Sequence, residues 1–105
     1  MVTYEVTTIV DPSLVEAYER YMCEHHIPDL LGTGCFRAAT FTRGGHGRYR
    51  MWYEAATERD LERYTEEHAA RLRAVFGSHF PDVTVAAREV WHTVQRWETG
   101  WKSDR

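Results

Sequence analysis

The chain has 105 residues, of which 43% are hydrophobic, 13% are aromatic and 28% are charged, and its formal net charge is −3. These values predict one globular domain, and because the apolar residues are spread along the chain, no segment is predicted to span a membrane. The acidic balance argues against a nucleic-acid partner, since such a partner requires a concentrated basic surface.

The first predicted element is a strand over residues 2–10, with large side chains on both of its faces. This segment has neither the basic stretch nor the small-residue cleavage site of a secretory signal, so we expect a cytoplasmic protein. A helix-start signal follows. Either Asp11 caps the helix with Pro12 in its first turn, or Ser13 forms a capping box with Glu16.

The first helix is predicted to end near two adjacent histidines, His25 and His26. His25 continues the helical spacing of apolar residues that begins at Leu14, so we expect it to point towards the core. His26 lies about 100° further round the helix, at the edge of that face. Pro28 disfavours a helical conformation in the residue before it, which places the end of the helix near the pair.

A β-hairpin is predicted next, with strands over residues 35–42 and 48–55 joined by a glycine-rich loop. In the second of these strands both faces carry large side chains, so the sheet is expected to be covered on both sides. The two faces are Tyr49, Met51 and Tyr53 on one side, and Arg50, Trp52 and Glu54 on the other.

A second helix is predicted to begin at Thr57, where a variant of the capping box occurs. His68 lies near the middle of its apolar stripe, and Gly77 is the expected end of the helix. Residues from 83 to about 91 or 95 then form the predicted fourth strand. The aromatic tail, residues 96–105, contains Trp97 and Trp101 and is expected to pack against another surface.

The element order is therefore β-α-β-β-α-β, which indicates an α+β, ferredoxin-like domain over residues 1–95. Both helices are expected on one face of a four-stranded antiparallel sheet. The other face is too mixed in character for free exposure, so we predict a homodimer in which two sheets face each other as a dimeric α+β barrel. Candidates for that face are Glu5, Ile9, Arg50, Trp52, Arg88 and His92.

Three segments resemble an uncharacterised bacterial domain-of-unknown-function family of the dimeric α+β barrel superfamily. They are HIPDLLGTGCF at residues 26–36, YEAATERDLERYTEEHAARLR at residues 53–73, and VAAREV at residues 85–90. The resemblance extends to about residue 94 and implies the fold more strongly than any activity. Its motifs carry over to His26, Ile27, Pro28, Gly34, Tyr64, His68, Ala69 and Arg73.

His26 and His68 are the candidate catalytic residues. Imidazole titrates near neutral pH, which suits general acid/base catalysis in a pocket beside the sheet. The alternative for His26 is a helix cap that interacts with the helix dipole. For His68 the alternatives are a hydrogen-bonded core histidine, a second polar group in the same cavity, or an axial haem ligand, because some haem-degrading dimeric α+β barrels carry their ligand histidine on the second helix.

Aromatic and basic residues are the candidates for substrate binding. Aromatic side chains could line a pocket for an aromatic substrate, and an arginine could orient a carboxylate or phenolate. The alternative is ordinary packing and ion pairing. The predicted substrate-binding residues are Tyr49, Arg50, Trp52, Tyr53 and Arg88.

No cofactor and no metal site are predicted. Adjacent histidines point about 100° apart on a helix and cannot converge on one ion, and the other histidines lack ligand spacing. The two cysteines, Cys23 and Cys35, also lack such spacing and are expected to be buried thiols.

Three functions remain open at this point. The first is a small-molecule-binding protein that acts as a cofactor-independent acid/base enzyme, of cyclase, isomerase or monooxygenase type, on an aromatic or polyketide-like substrate. The second is a non-catalytic module that binds a ligand or a partner. The third is a haem-binding protein.

Overall fold

The computed structural model of the chain describes residues 1–100, so Trp101 of the predicted tail lies outside the described residues. The strands are β1 (Val2–Ile9), β2 (Ala38–Arg43), β3 (Arg48–Ala55) and β4 (Thr84–His92). The helices are α1 (Val15–Tyr21), α2 (Ile27–Gly32), α3 (Glu58–Glu67) and α4 (Ala69–His79). A 3₁₀ turn, Pro12–Leu14, precedes α1, and a π-helical turn, Met22–His26, joins α1 to α2.

The four strands form one antiparallel sheet in the order β2-β3-β1-β4. The central strand β1 pairs with β3 on one side and with β4 on the other, and a register shift interrupts the second pairing between Thr7 and Thr8. This arrangement confirms the predicted ferredoxin-like α+β fold. Within the described residues, no helix is both long and apolar enough to cross a membrane.

The structure settles which face of the sheet meets the helices. The side chains of Val2, Tyr4 and Thr8 on β1 are buried there, as are Tyr49 and the other odd-numbered residues of β3. We call this the helix-covered face. We call the opposite face the open face. It carries Glu5, Trp52, Trp91 and other side chains that are at least partly exposed.

Two residues predicted for the open face, Arg88 and His92, lie on the helix-covered face instead. Arg88 pairs directly with Val6, and His92 pairs directly with Val2. Directly opposed residues of antiparallel strands project to the same side of a sheet. The alternation of residues along β4 could not show which of its side chains face the helices, because the pairing of β4 with β1 contains a register shift between Thr7 and Thr8.

The first helical region does not end at the histidine pair as predicted, but continues to Gly32. The backbone N–H of Ile27 donates to the carbonyl of Met22, five residues earlier, so the helix widens into a π-helical turn just before Pro28. A proline within a regular helix lacks an N–H and clashes with the preceding turn, and widening the turn is one way to accommodate it. Pro28 therefore lies in the first turn of α2, where proline is well tolerated.

The second helical region also differs from its prediction. It is interrupted at His68, where φ is −128°, and it continues beyond Gly77 to His79. It ends there because Phe80 precedes Pro81, and the residue that precedes a proline avoids the helical conformation. Both cysteines were expected to be buried. Cys35 is buried, whereas Cys23 is exposed.

Candidate functional site

A partly enclosed cavity of about 50 Å³ lies between the helix-covered face and the helices. Most of its wall is apolar or aromatic, with a small set of polar groups among them. The lining residues come from β1, β3, β4, the helical region around the π-helical turn, and the α3–α4 region. They are Tyr4, Val6, Thr8, Tyr18, Met22, His26, Leu30, Met51, Tyr53, Tyr64, Arg73, Phe76, Val85 and Arg88.

His26 reaches this cavity because of the π-helical turn. Tyr18, Met22, His26 and Leu30 follow one another at intervals of four, and all of them line the cavity. In a regular α-helix, side chains spaced four residues apart drift round the helix axis by about 40° at each step. A π-helical turn holds about one residue more, so it cancels much of this drift and keeps the series on the side of the cavity. His25, which was expected to face the core, is exposed instead.

The imidazole of His26 is half-buried, and its ring centroid lies 5.2 Å from that of Phe76. Burial lowers the pKa of His26 from 6.5 to about 4, and the charge of Asp29 opposes this only partly. His26 is therefore neutral at physiological pH and can accept a proton. His26 lines a pocket beside the sheet, and its catalytic role stays a prediction.

Tyr53 contributes a hydroxyl group that has no hydrogen-bond partner within the described residues. The side chain is only 1% exposed. Burial raises its pKa well above the ordinary value, so the hydroxyl stays protonated and can donate a hydrogen bond. By contrast, the hydroxyl of Tyr18 is satisfied, because it lies 2.7 Å from the hydroxyl of Thr8.

Two guanidinium groups lie where the cavity meets solvent. Both Arg73 on α4 and Arg88 on β4 line the cavity although they are exposed residues. Arg73 Nη2 donates to the hydroxyl of Tyr4 at 3.1 Å. Burial raises the pKa of Tyr64 to about 12, Tyr4 adds to this, and the charges of Arg73 and Arg88 oppose it. The charges of both arginines therefore act on the hydroxyl of Tyr64.

Tyr49 is buried on the same face but does not line this cavity. Its hydroxyl donates to Glu19 Oε2 at 2.5 Å, and Arg43 Nη1 binds the same oxygen at 2.8 Å. Burial, together with the neighbouring carboxylate of Glu19, raises the pKa of Tyr49 to about 12. These contacts join α1 to the hairpin, which gives Tyr49 a structural role.

Trp52 and Arg50 lie on the open face, away from the cavity. Trp52 Nε1 donates to Glu5 Oε2 at 2.5 Å, and the guanidinium of Arg50 lies 4.8 Å from the centroid of the Trp52 ring. Of the predicted substrate-binding residues, the structure therefore brings Tyr53 and Arg88 to the cavity of His26. It does not bring Tyr49, Trp52 or Arg50 there.

His68 does not lie in the cavity of His26. It borders an open surface depression shared with Pro28, Asp29 and Thr33, and its Nδ1 lies 3.0 Å from Arg71 Nη2. The break between α3 and α4 turns this side chain out of the apolar stripe, which explains why it cannot be the second polar group of the cavity. Its surroundings also lack the apolar enclosure that a haem ligand requires.

Two cavity residues, Tyr64 and Arg73, were not among the predicted site residues, although both lie in the segment that carries the family resemblance. The spacing of residues in the sequence does not identify them, because they contact Tyr4 only when α3 and α4 pack against the sheet. Within the part of the chain that the structure describes, no group of three or more histidine, cysteine, aspartate or glutamate side chains could hold a metal ion.

Comparison with known proteins supports the fold. A family model for a domain of unknown function, DUF4286, matches residues 1–94. The solved structure of Rv0793 from Mycobacterium tuberculosis superposes with a TM-score of 0.62 at 11% identity, covering 93% of this chain and 100% of that chain. The crystal structure of an antibiotic biosynthesis monooxygenase gives a TM-score of 0.53 at 14% identity, covering 90% and 100% of the two chains. No curated protein sequence matches significantly.

Proposed function

The chain belongs to the domain-of-unknown-function family DUF4286, and on that premise we propose that it binds a small molecule in the cavity beside His26 and transfers a proton on it. The observation that supports this proposal most directly is that one cavity holds a neutral imidazole and an unpaired tyrosine hydroxyl. An apolar pocket with a few convergent polar groups is the usual form of a small-molecule site.

The chemistry follows from the states of these two groups. His26 removes a proton from a carbon or oxygen next to a carbonyl or aromatic ring, and Tyr53 donates a hydrogen bond to the oxygen on which negative charge develops. Return of the proton from His26 to a different atom completes an isomerisation. Attack of the carbanion on a second carbonyl, followed by protonation, completes a cyclisation.

A monooxygenase reaction is a variant of the same deprotonation. One structural neighbour is an antibiotic biosynthesis monooxygenase, which supports this variant. In the monooxygenase variant, the substrate anion reacts with O₂. One oxygen atom is retained as a carbonyl at the former CH₂ carbon, and the other leaves as water with the two hydrogens. No separate reductant is required, because the substrate supplies the electrons.

The size of the cavity limits how a substrate binds. An apolar cavity of about 150 Å³ holds benzene, whereas this cavity measures about 50 Å³. An aromatic substrate therefore requires the side chains at the mouth, Arg73, Phe76 and Arg88, to move outward. Two of these are long and exposed, so such a movement disturbs little of the core.

Solvent deuterium exchange tests the proton transfer directly. We expect the protein to accelerate exchange at the CH₂ group of 4-hydroxyphenylacetone, which lies between a ring and a carbonyl. His26→Gln should reduce the protein-dependent rate by about 10²-fold or more, whereas His25→Gln should leave it unchanged. Binding without accelerated exchange would instead support the non-catalytic module, and uptake of O₂ would identify the monooxygenase variant.

We also propose that a second copy of the chain covers the open face. Ile9, Trp52 and Trp91 are 45%, 40% and 53% exposed there, and large exposed apolar side chains on one sheet face indicate an interface. Sedimentation equilibrium should give a dimer that Trp52→Glu dissociates, whereas Ala70→Glu, at an exposed position of α4, should leave the dimer intact. A monomeric wild-type protein at high concentration would refute the dimer.

A further inference from the structure

We infer that the ligand of the cavity is a small carboxylate that also carries a carbonyl or phenolic oxygen. Arg73 and Arg88 bind its carboxylate at the mouth, and the hydroxyl of Tyr53 binds its second oxygen inside. This inference rests on the proposed function, because it assigns a chemical class to the ligand of the same cavity.

The first observation is that the two arginines have no acidic partner. Within residues 1–100, ion pairs with carboxylates engage Arg20, Arg43, Arg59, Arg63 and Arg96. Neither Arg73 nor Arg88 is among them, and Arg73 contacts the hydroxyl of Tyr4. Two uncompensated guanidinium groups beside one cavity produce a positive potential at its mouth, and guanidinium binds carboxylate through paired charge-assisted hydrogen bonds.

The second observation is that the two arginines approach from opposite walls. Arg73 projects from α4, and Arg88 projects from the edge strand β4 on the side that faces the helices, opposite Val6. A carboxylate between them would therefore be held from the helix layer and from the sheet at once. Because β4 is the outermost strand, this mouth lies at the edge of the sheet.

The third observation concerns the interior. The hydroxyl of Tyr53 is buried without a protein partner within residues 1–100, and leaving a buried hydroxyl unsatisfied is unfavourable. A ligand oxygen would satisfy it. The cavity is also larger than the minimum that a water molecule needs, and Tyr53 is one of the residues that line it.

An anionic ligand would also improve His26 as a catalyst. A negative charge near an imidazole favours its protonated form and raises its pKa. In the ligand-free protein the pKa of His26 is about 4, well below neutral pH. A bound carboxylate would move it towards the operating pH, where proton transfer in both directions is most efficient. Ligand binding and catalytic competence would then be linked through charge.

A matched pair of ligands tests the charge requirement. 4-Hydroxyphenylacetate and 4-hydroxyphenylacetamide have nearly the same shape, but only the first is an anion. We expect the full chain to bind the carboxylate at least about tenfold more tightly in titration calorimetry at pH 7, since a charge-assisted pair is stronger than a neutral hydrogen bond. Arg73→Gln and Arg88→Gln should each reduce this preference, whereas Arg59→Gln, at an exposed position of α3, should not.

Tyr53→Phe provides the second arm, because it removes the interior hydroxyl without touching the mouth. It should weaken both ligands by a similar factor and leave the ratio of their affinities unchanged. Equal affinity for the two ligands, no binding of either, or a preference that survives in both arginine variants would overturn the inference. The deuterium-exchange result for His26→Gln is independent of these outcomes and decides the proposed function separately.

Discussion

The two faces of the sheet both carry large aromatic side chains, yet they use them differently. Against the helix-covered face, Tyr18 of α1 is fully buried, and its ring centroid lies 5.0–6.2 Å from those of Phe41, Tyr49, Phe76 and Phe80. On the open face, Trp52 keeps 40% of its surface exposed and is held by Glu5 and Arg50. An aromatic residue therefore identifies a core only together with the layer that covers it.

The largest expected difference between the faces is in stability. Tyr18→Ala should lower the free energy of unfolding by about 3–5 kcal/mol, because it leaves a large cavity in the core. Trp52→Ala should cost less than about 1 kcal/mol when the chain is monomeric, since surface substitutions have small effects. Urea unfolding at low protein concentration measures both. Similar costs for the two variants would mean that the open face is covered within a single chain.

The next effect is a pH dependence that belongs to the helix-covered face. The pKa of His26 is about 4 in the folded chain and 6.5 when unperturbed, so the unfolded chain binds the proton first as the pH falls. The stability associated with neutral His26 is therefore complete above about pH 6.5 and is lost towards pH 4, by about 3 kcal/mol. His26→Gln should lack this component in urea unfolding series from pH 7 to 4.

His25→Gln is the control for that series, because His25 is exposed. It should reproduce the wild-type pH dependence, including the contributions of Asp11 and Glu19, whose lowered pKa values are common to all three proteins. A wild-type curve that coincides with the His26→Gln curve would show that His26 titrates normally and is not buried.

The smallest expected effect on stability comes from two tyrosine hydroxyls between the helix-covered face and the helices. Tyr53→Phe should raise the free energy of unfolding by about 1 kcal/mol, because it removes a buried hydroxyl without a partner. Tyr18→Phe should lower it by about 1 kcal/mol, because the hydroxyl of Thr8 loses its partner at 2.7 Å. Thermal unfolding of both variants checks the signs. A loss of stability in Tyr53→Phe would mean that its hydroxyl is satisfied by ordered water.

The order and type of the elements could be predicted because alternation, capping residues and the glycine-rich hairpin are local signals. The faces could not be assigned, since β1 and β3 carry large residues on both sides and the register of β4 contains a shift. The predicted orientation of His25 was also wrong, because widening a turn from four to five residues leaves no mark on composition. The cavity residues Tyr64 and Arg73 depend on tertiary packing that no local signal encodes.

The π-helical turn has a consequence for how such a site can arise. Because the wide turn holds one residue more than an α-helical turn, gaining or losing a single amino acid between Met22 and His26 rotates everything that follows relative to what precedes. A one-codon insertion can therefore exchange the side chain presented to the cavity while the sheet stays as it is. Such a change in the site would be visible as a gap in a sequence alignment. A search that considers only substituted residues would overlook it.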